Sequence, residues 1–341
     1  MRVAITGASG FIGASLCHGL RAAGHEPVAV VRASSRLDRL DADFAVAVAD
    51  IRDQEALRRA FSGAEAVIHC AALVDPYANP WEARSVNFIS AFNVCHASTD
   101  SGVSHLIQMS SAAVYARDNP RGGRLQEDSA RIIEDPPVYD TYSINKAAAE
   151  KVVFDFGNGG RFRASVLRPG AVYGPGDRMS GPIAAAIHAR RMASIGPRAL
   201  NFGLIHIDDL VAATTALLER PPAGARSFNV DGPSPTTFSD YLAGFAEALG
   251  VDGRLPTLPI GAARAAAWAT ETVWNIRKRD GPAPLNRFVV ELLAADFVLD
   301  TSRARAELGW SPQISLAEGL GSAVRWLAGQ PCASPALPTL A

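Results

Sequence analysis

Lysine is almost missing from this chain. Of 33 basic residues only Lys146, Lys151 and Lys278 are lysines, a skew that looks like codon bias from a GC-rich genome and makes each lysine conspicuous. No charge of one sign dominates: the formal net charge is −1, without the global basic excess of a nucleic-acid binder. Cys17, Cys70, Cys95 and Cys332 stand far apart, with no C-x-x-C and no metal-like spacing. They read as small buried hydrophobes in a reducing compartment. Apolar runs of membrane-spanning length are lacking, and no basic-then-apolar leader precedes the opening strand "MRVAIT". A cytoplasmic protein is expected. There is no internal repeat.

What is present is alternation. The 341 residues suit one large α/β unit with a smaller appended part. Short apolar runs at 2–6, 27–31, 44–48, 66–70, 105–109 and 164–168 read as strands, and amphipathic stretches between them stop near glycines. Parallel strands joined by crossover helices follow, hence a doubly wound sheet covered on both faces. After Arg168 the period loosens. The expected division is a dinucleotide-binding part over 1–170 and a smaller α/β substrate-binding part over 171–330 that partly returns to the sheet. A disordered tail is expected over 331–341.

"TGASGFIG" follows the first strand and opens the first helix, with glycines at Gly7, Gly10 and Gly13. Gly7 permits a tight turn, Gly10 lets the backbone approach a pyrophosphate, and Gly13 allows close helix–sheet packing. The helix N-terminus then offers free amides to phosphate. An acidic residue at the end of the second strand would read an NAD ribose. Here Arg32 stands 19 residues after Gly13, with Ser35 and Arg36 behind it. A guanidinium there suits a 2′-phosphate, so NADP(H) is favoured over NAD(H), unless these are two solvated loop arginines.

"VYDTYSINKAAAE" holds Tyr139, Tyr142 and Lys146. Residues four apart share a helix face about 6 Å apart, so Tyr142 pairs with Lys146, whereas Tyr139 falls in the approach loop. A phenol titrates near pH 10. A neighbouring ammonium and a nicotinamide cation would draw Tyr142 down toward the working range. "MSSAAVY" brings Ser110 and Ser111 to a strand end, where ligands bind in such sheets.

Together "TGASGFIG", "VIHCAAL", "MSSAAVY", "YSINKAAAE", "LRPGAVYGPGD" and "LIHIDDL" resemble the extended short-chain dehydrogenase/reductase family, over about residues 1–330 and in that family's order. The resemblance implies Ser111 as the polarising hydroxyl, Tyr142 as acid/base and Lys146 as its electrostatic partner and ribose ligand. It implies that Ser9, Phe11 and Ile12 join the glycines around the phosphates, and that Asp50 and Ile51 border the adenine. Ala71, Ala72 and Leu73 would line pyrophosphate and ribose, and Pro169, Gly170 and Val172 the nicotinamide. Asn87 would help keep Lys146 and its water in place. It also implies a homodimer through the tyrosine helix and the helix near 85–100. His206 could reach substrate, but in "LIHIDDL" a strand-to-helix corner capped by Asp208 or Asp209 is expected.

The implied chemistry moves a hydride between nicotinamide C4 and a carbon bearing a hydroxyl or carbonyl, with no metal. Residues 282–310 look most like the 3β-hydroxysteroid dehydrogenase and dihydroflavonol reductase branch, which handles apolar substrates. The alanine- and tryptophan-rich stretch at 260–278 would then be an apolar lid, or else simple core packing. One alternative is a sugar-nucleotide epimerase or dehydratase with tightly bound NAD, for which Arg190, Arg191 and Arg198 could grip a diphosphate. Another is a dinucleotide sensor without turnover.

Overall fold

The computed structural model describes residues 1–74, 78–116, 123–132, 140–196, 200–277, 283 and 285–329. Tyr139, Arg198, Lys278 and the tail 331–341 lie outside them. Seven parallel strands form the central sheet. From one edge to the other they are Ala45–Val48, Glu26–Val31, Arg2–Thr6, Ala66–His69, His105–Met109, Arg163–Pro169 and Ala225–Val230. The six runs expected from sequence supply the first six. The seventh, Ala225–Val230, is the return from the C-terminal part, aligned Phe228 to Leu167. Its sequence "ARSFNV" carries Arg226 and Asn229, so no continuous apolar run announced it. Asn229 is nevertheless fully buried, because Leu125 and Tyr115 satisfy its amide.

Strand order reverses on either side of Arg2–Thr6, which pairs with both Glu26–Val31 and Ala66–His69. The loops leaving Thr6 and His69 diverge there and open a crevice at the carboxyl ends of the strands. One face of the sheet packs on helices Phe11–Ala22 and Ile207–Glu219 through Ile5, Leu16, Leu20, Leu210 and Leu217. The opposite face packs on Gln54–Ala60, Ser90–Asp100 and Thr141–Asn158 through Leu57, Val67, Val94, Leu106 and Val153. Covered on both sides, the inner strands need no polar alternation.

The remaining C-terminal segments sit around the strand ends. Leu204–His206 pairs with Ala171–Tyr173, and Val298–Leu299 with Arg124–Leu125, the second pairing stitching late residues to an early loop. The "LIHIDDL" corner differs from expectation in its cap. His206 itself is the N-cap, its Nδ1 accepting from the Asp208 amide. Asp209 instead accepts from the Gln313 and Ile314 amides at 2.8 and 3.0 Å and anchors the closing segment. The cap position falls one residue earlier because the strand ends at His206, leaving the aspartates inside the first turn.

Candidate active site

The glycine loop is built as a cradle. Gly7 has a φ of +71°, and a Cβ on it would meet the Ala71 nitrogen at 2.7 Å. A Cβ on Gly13 would fall on the Gly7 carbonyl, whereas one on Gly10 would approach that oxygen only to 3.2 Å. Gly10 is the helix N-cap and uses no side chain on the first-turn amides. Those amides, the loop and the Ala71–Leu73 segment face one another across the switch point, which fits a pyrophosphate. Gly7→Ala should therefore abolish dinucleotide binding and cost more than the roughly 1–2 kcal/mol of a left-handed residue alone. A nicotinamide fluorescence titration beside a thermal melt would check both effects.

Ser111 lies just past the end of strand His105–Met109, its Oγ accepting from the Ala113 amide at 3.1 Å. Tyr142 comes from the first turn of helix Thr141–Asn158, which Asp140 caps through the Ser143 amide at 3.0 Å. The Ser111 hydroxyl lies close enough to the Tyr142 phenol to favour its ionised form. One turn later Lys146 is buried and its Nζ donates to the Met109 carbonyl at 2.8 Å. Serine, tyrosine and lysine thus converge on the strand end.

The electrostatics depart from expectation. Burial pushes the Tyr142 phenol up to about 12; the nearby Ser111 hydroxyl opposes this, and Asp140 adds to it. Lys146 is directed at a main-chain carbonyl and does not offset the loss of solvent. Burial in turn lowers Lys146 to about 8, with Cys70 and Glu150 acting the other way. Cys70, itself pushed up to about 12 by burial, is a neutral thiol at working pH. The carboxylate that supports the ammonium is Glu150.

Glu150 lies one turn beyond Lys146 and is fully buried. It accepts from Ser110 Oγ at 2.6 Å and from both Arg168 nitrogens Nε and Nη2 at 2.9 and 2.7 Å. Arg168, 1% exposed, also donates to the Tyr115 hydroxyl and the Glu127 carbonyl. The two neighbouring serines are thereby separated: Ser110 points into this network and Ser111 toward Tyr142. Sequence reading passed over Glu150 and Arg168, although a lone arginine in the buried run "ASVLRP" was a visible signal.

Asn87, also buried, holds the Leu73 main chain at both ends, accepting from its amide at 2.8 Å and donating to its carbonyl at 2.9 Å. It acts on the expected ribose-lining segment. Asp50 is gripped by Arg52 through Nε at 2.9 Å and Nη2 at 2.6 Å. That bond holds its carboxyl below the usual range, with Arg32 adding. Ile51 is buried beside it. Arg32 and Arg36 are exposed on a turn closed by Ser35, whose Oγ accepts from the Arg32 amide at 3.1 Å and whose amide donates to the Arg32 carbonyl. Gly170 is pressed on Gly203, where an added Cβ would come within 2.5 Å of the carbonyl carbon. Pro169 is buried and Val172 half-buried.

Phe288, on helix Arg287–Ala294, reaches this cluster from the C-terminal part, its ring and that of Tyr142 packed edge-to-face with centroids 6.3 Å apart. Nothing in the sequence marked it. Residues 260–276 form a helix that buries Ala263 and Ala267 against Val290 while Trp268 stays exposed.

A model of the NAD dependent epimerase/dehydratase family matches residues 3–231. The chain belongs to that family. A 4-hydroxy-2-methyl-3-oxo-4-farnesyl-3,4-dihydroquinoline-1-oxide ketoreductase from Stigmatella aurantiaca is 28% identical over 94% of this chain and 95% of its own. A 2-alkyl-3-oxoalkanoate reductase from Stenotrophomonas maltophilia is 26% identical over 94% and 97%. The UDP-glucuronic acid 4-epimerase from Bacillus cereus, solved with NAD, superposes with a TM-score of 0.75 at 19% identity, covering 96% of this chain and 99% of that one. Plant 3β-hydroxysteroid dehydrogenase/decarboxylases and a dihydroflavonol reductase-like protein are among the relatives too, the branch expected from residues 282–310. The chain is an oxidoreductase, as the named reductases and dehydrogenases among its relatives are. Among the described residues no helix is long and apolar enough to cross a membrane.

Proposed function

We propose that the protein is an NADP(H)-preferring reductase of apolar ketones, of the β-keto, steroid or flavonoid kind. The observation that carries this reading is the Phe288 ring packed edge-to-face with the Tyr142 ring, which sets hydrocarbon beside the proton-donating residue. The names of the two reductase relatives point the same way.

In this proposal the glycine loop, Ala71–Leu73 and Lys146 hold the dinucleotide, and Asn87 keeps the Leu73 main chain in position. When bound, the nicotinamide supplies the hydride. Ser111 donates a hydrogen bond to the substrate carbonyl oxygen, and Tyr142 donates its proton to the same oxygen as charge develops there. A phenol pushed up to about 12 is fully protonated at neutral pH, the form a reduction needs. Phe288 keeps water from the reacting carbon. A homodimer is proposed as well, since Trp81, Ile89 and Phe92 leave apolar surface exposed near the segment 85–100.

Arg32 and Arg36, with the Ser35 hydroxyl between them, would pair with a 2′-phosphate. Arg32→Asp should lower the NADPH-over-NADH preference by roughly tenfold to a hundredfold, the worth of one charge-assisted hydrogen bond. Separate fluorescence titrations of the unsubstituted chain and Arg32→Asp with NADPH and with NADH would read it. Unchanged preference would remove Arg32 from the argument. The function itself is tested by NADPH oxidation against a panel of 3-oxoesters and alicyclic ketones. Tightly retained NAD with turnover of UDP-sugars instead would replace this reading by the epimerase one.

A further inference from the structure

A dinucleotide can lay its adenosine half in one direction only. The phosphate cradle follows Arg2–Thr6, and Ser111 and Tyr142 stand to one side of it, past Ala66–His69, at the end of His105–Met109. With the nicotinamide drawn there, the adenosine crosses the ends of the two strands on the other side, Glu26–Val31 and Ala45–Val48. Those ends lie together, Val31 in register with Val48 and the Ala49 amide donating to the Val31 carbonyl at 2.9 Å. Arg32 leaves the first of them and Asp50 follows the second, close enough for the Arg32 charge to act on the carboxylate.

Asp50 is already engaged. Its Oδ1 accepts from the Arg52 amide and from Arg52 Nε, both at 2.9 Å, and its Oδ2 accepts from Arg52 Nη2 at 2.6 Å. A carboxylate has about four acceptor positions, and Arg52 fills three of them. The turn that carries the pair is itself fixed. Asn93, from helix Ser90–Asp100, donates to the Ile51 carbonyl at 3.0 Å, and Asp53 caps helix Gln54–Ala60 through the Ala56 amide. The Arg52 guanidinium is held by its edge, and 52% of the side chain is open to solvent. A planar cation bound in this way presents its faces, the surface on which an unstacked base lies.

We propose that Arg52 is the residue on which the adenine stacks, and that Asp50 is a positioning residue that braces the guanidinium for it. The base is then recognised as a flat purine and not through its 6-amino group. Arg32 and Arg36 would meet the 2′-phosphate, so affinity for the base and preference between cofactors belong to different arginines on adjacent strand ends. The inference rests on dinucleotide binding at the glycine cradle, and on neither the NADP(H) preference nor the ketone.

The test is titration of the full-length protein, followed by nicotinamide fluorescence, with NADPH, NADH and the hypoxanthine analogue of NADPH, which lacks the 6-amino group. Arg52→Ala should weaken NADPH and NADH in parallel, by roughly threefold to thirtyfold, the worth of a cation on an aromatic face. Arg52→Lys keeps the charge without the plane and should bind as weakly as Arg52→Ala. The Asp50–Arg52 pair is exposed, so both variants should keep the thermal midpoint. In the unsubstituted chain the hypoxanthine analogue should bind almost as well as NADPH. A bond from the amino group to the carboxylate would instead make the analogue weaker by roughly tenfold to a hundredfold, and that result would overturn the inference. So would unchanged affinity in Arg52→Ala or wild-type affinity in Arg52→Lys. A loss confined to NADPH would overturn it too, since Arg52 would then be one more phosphate cation. Equal affinity for NADPH and NADH in the unsubstituted chain would count against the Arg32 reading alone.

Discussion

Tyr142→Phe should lower ketone reduction by roughly 10²- to 10⁴-fold, the contribution of positioned proton transfer, while dinucleotide binding stays near wild type. The hydroxyl is the group removed; the ring, its edge contact with Phe288 and the helix around it remain. The pH profile gives a second readout. Tyr142, at about 12, stays protonated through the neutral range, whereas Lys146, near 8, sheds its charge. Reduction should thus hold steady below pH 8 and decline above it as the ammonium beneath the site is lost. In oxidation the phenolate is required, so that rate should rise with pH instead. Stopped-flow NADPH oxidation across pH 6 to 10 measures the first, and the reverse reaction the second. Wild-type turnover in Tyr142→Phe would remove Tyr142 from the acid/base role, whereas no ketone turnover in the unsubstituted chain, with dinucleotide binding intact, would leave it a dinucleotide sensor.

The second large effect concerns Glu150. Glu150→Ala should cost about 3–5 kcal/mol, because it strands the Arg168 guanidinium inside the protein with a partner removed and no solvent to replace it. Glu150→Gln is the milder variant, keeping shape and part of the hydrogen bonding. It also separates a positioning role from a merely structural one. Glu150 raises the Lys146 pKa, so its neutralisation disfavours the ammonium, and the alkaline fall in reduction should move to lower pH. A melt that drops with no movement of that limb would confine Glu150 to holding the strand and helix together. The Glu150→Gln/Arg168→Gln double variant should lose less stability than the sum of the two singles, since neither group is then left as an unpaired charge.

Six strands, the glycine cradle and the Tyr142–Lys146 pair were legible in the sequence for one reason: each is written in local spacing. A buried parallel strand needs a short apolar run, a phosphate turn needs glycine where φ is positive or a carbonyl is close, and two side chains on one helix face need four residues between them. The preference for Ser111 over Ser110 also came from sequence, through the resemblance to a known family; in the structure Ser110 donates to Glu150 while Ser111 accepts from the Ala113 amide. The tertiary structure decided what depends on segments far apart in the chain. The seventh strand carries an exposed arginine that pairs with Glu307 and an asparagine that only becomes acceptable once Leu125, Tyr115 and Glu127 surround it. The Glu150–Arg168 bond joins a helix to a strand 18 residues on, and Phe288 meets Tyr142 across 146 residues of sequence. The direction of the Tyr142 titration belongs here as well. Spacing placed a cation near the phenol, but how much solvent the surrounding chain removes, and which carbonyl the lysine turns to, is a property of packing in three dimensions.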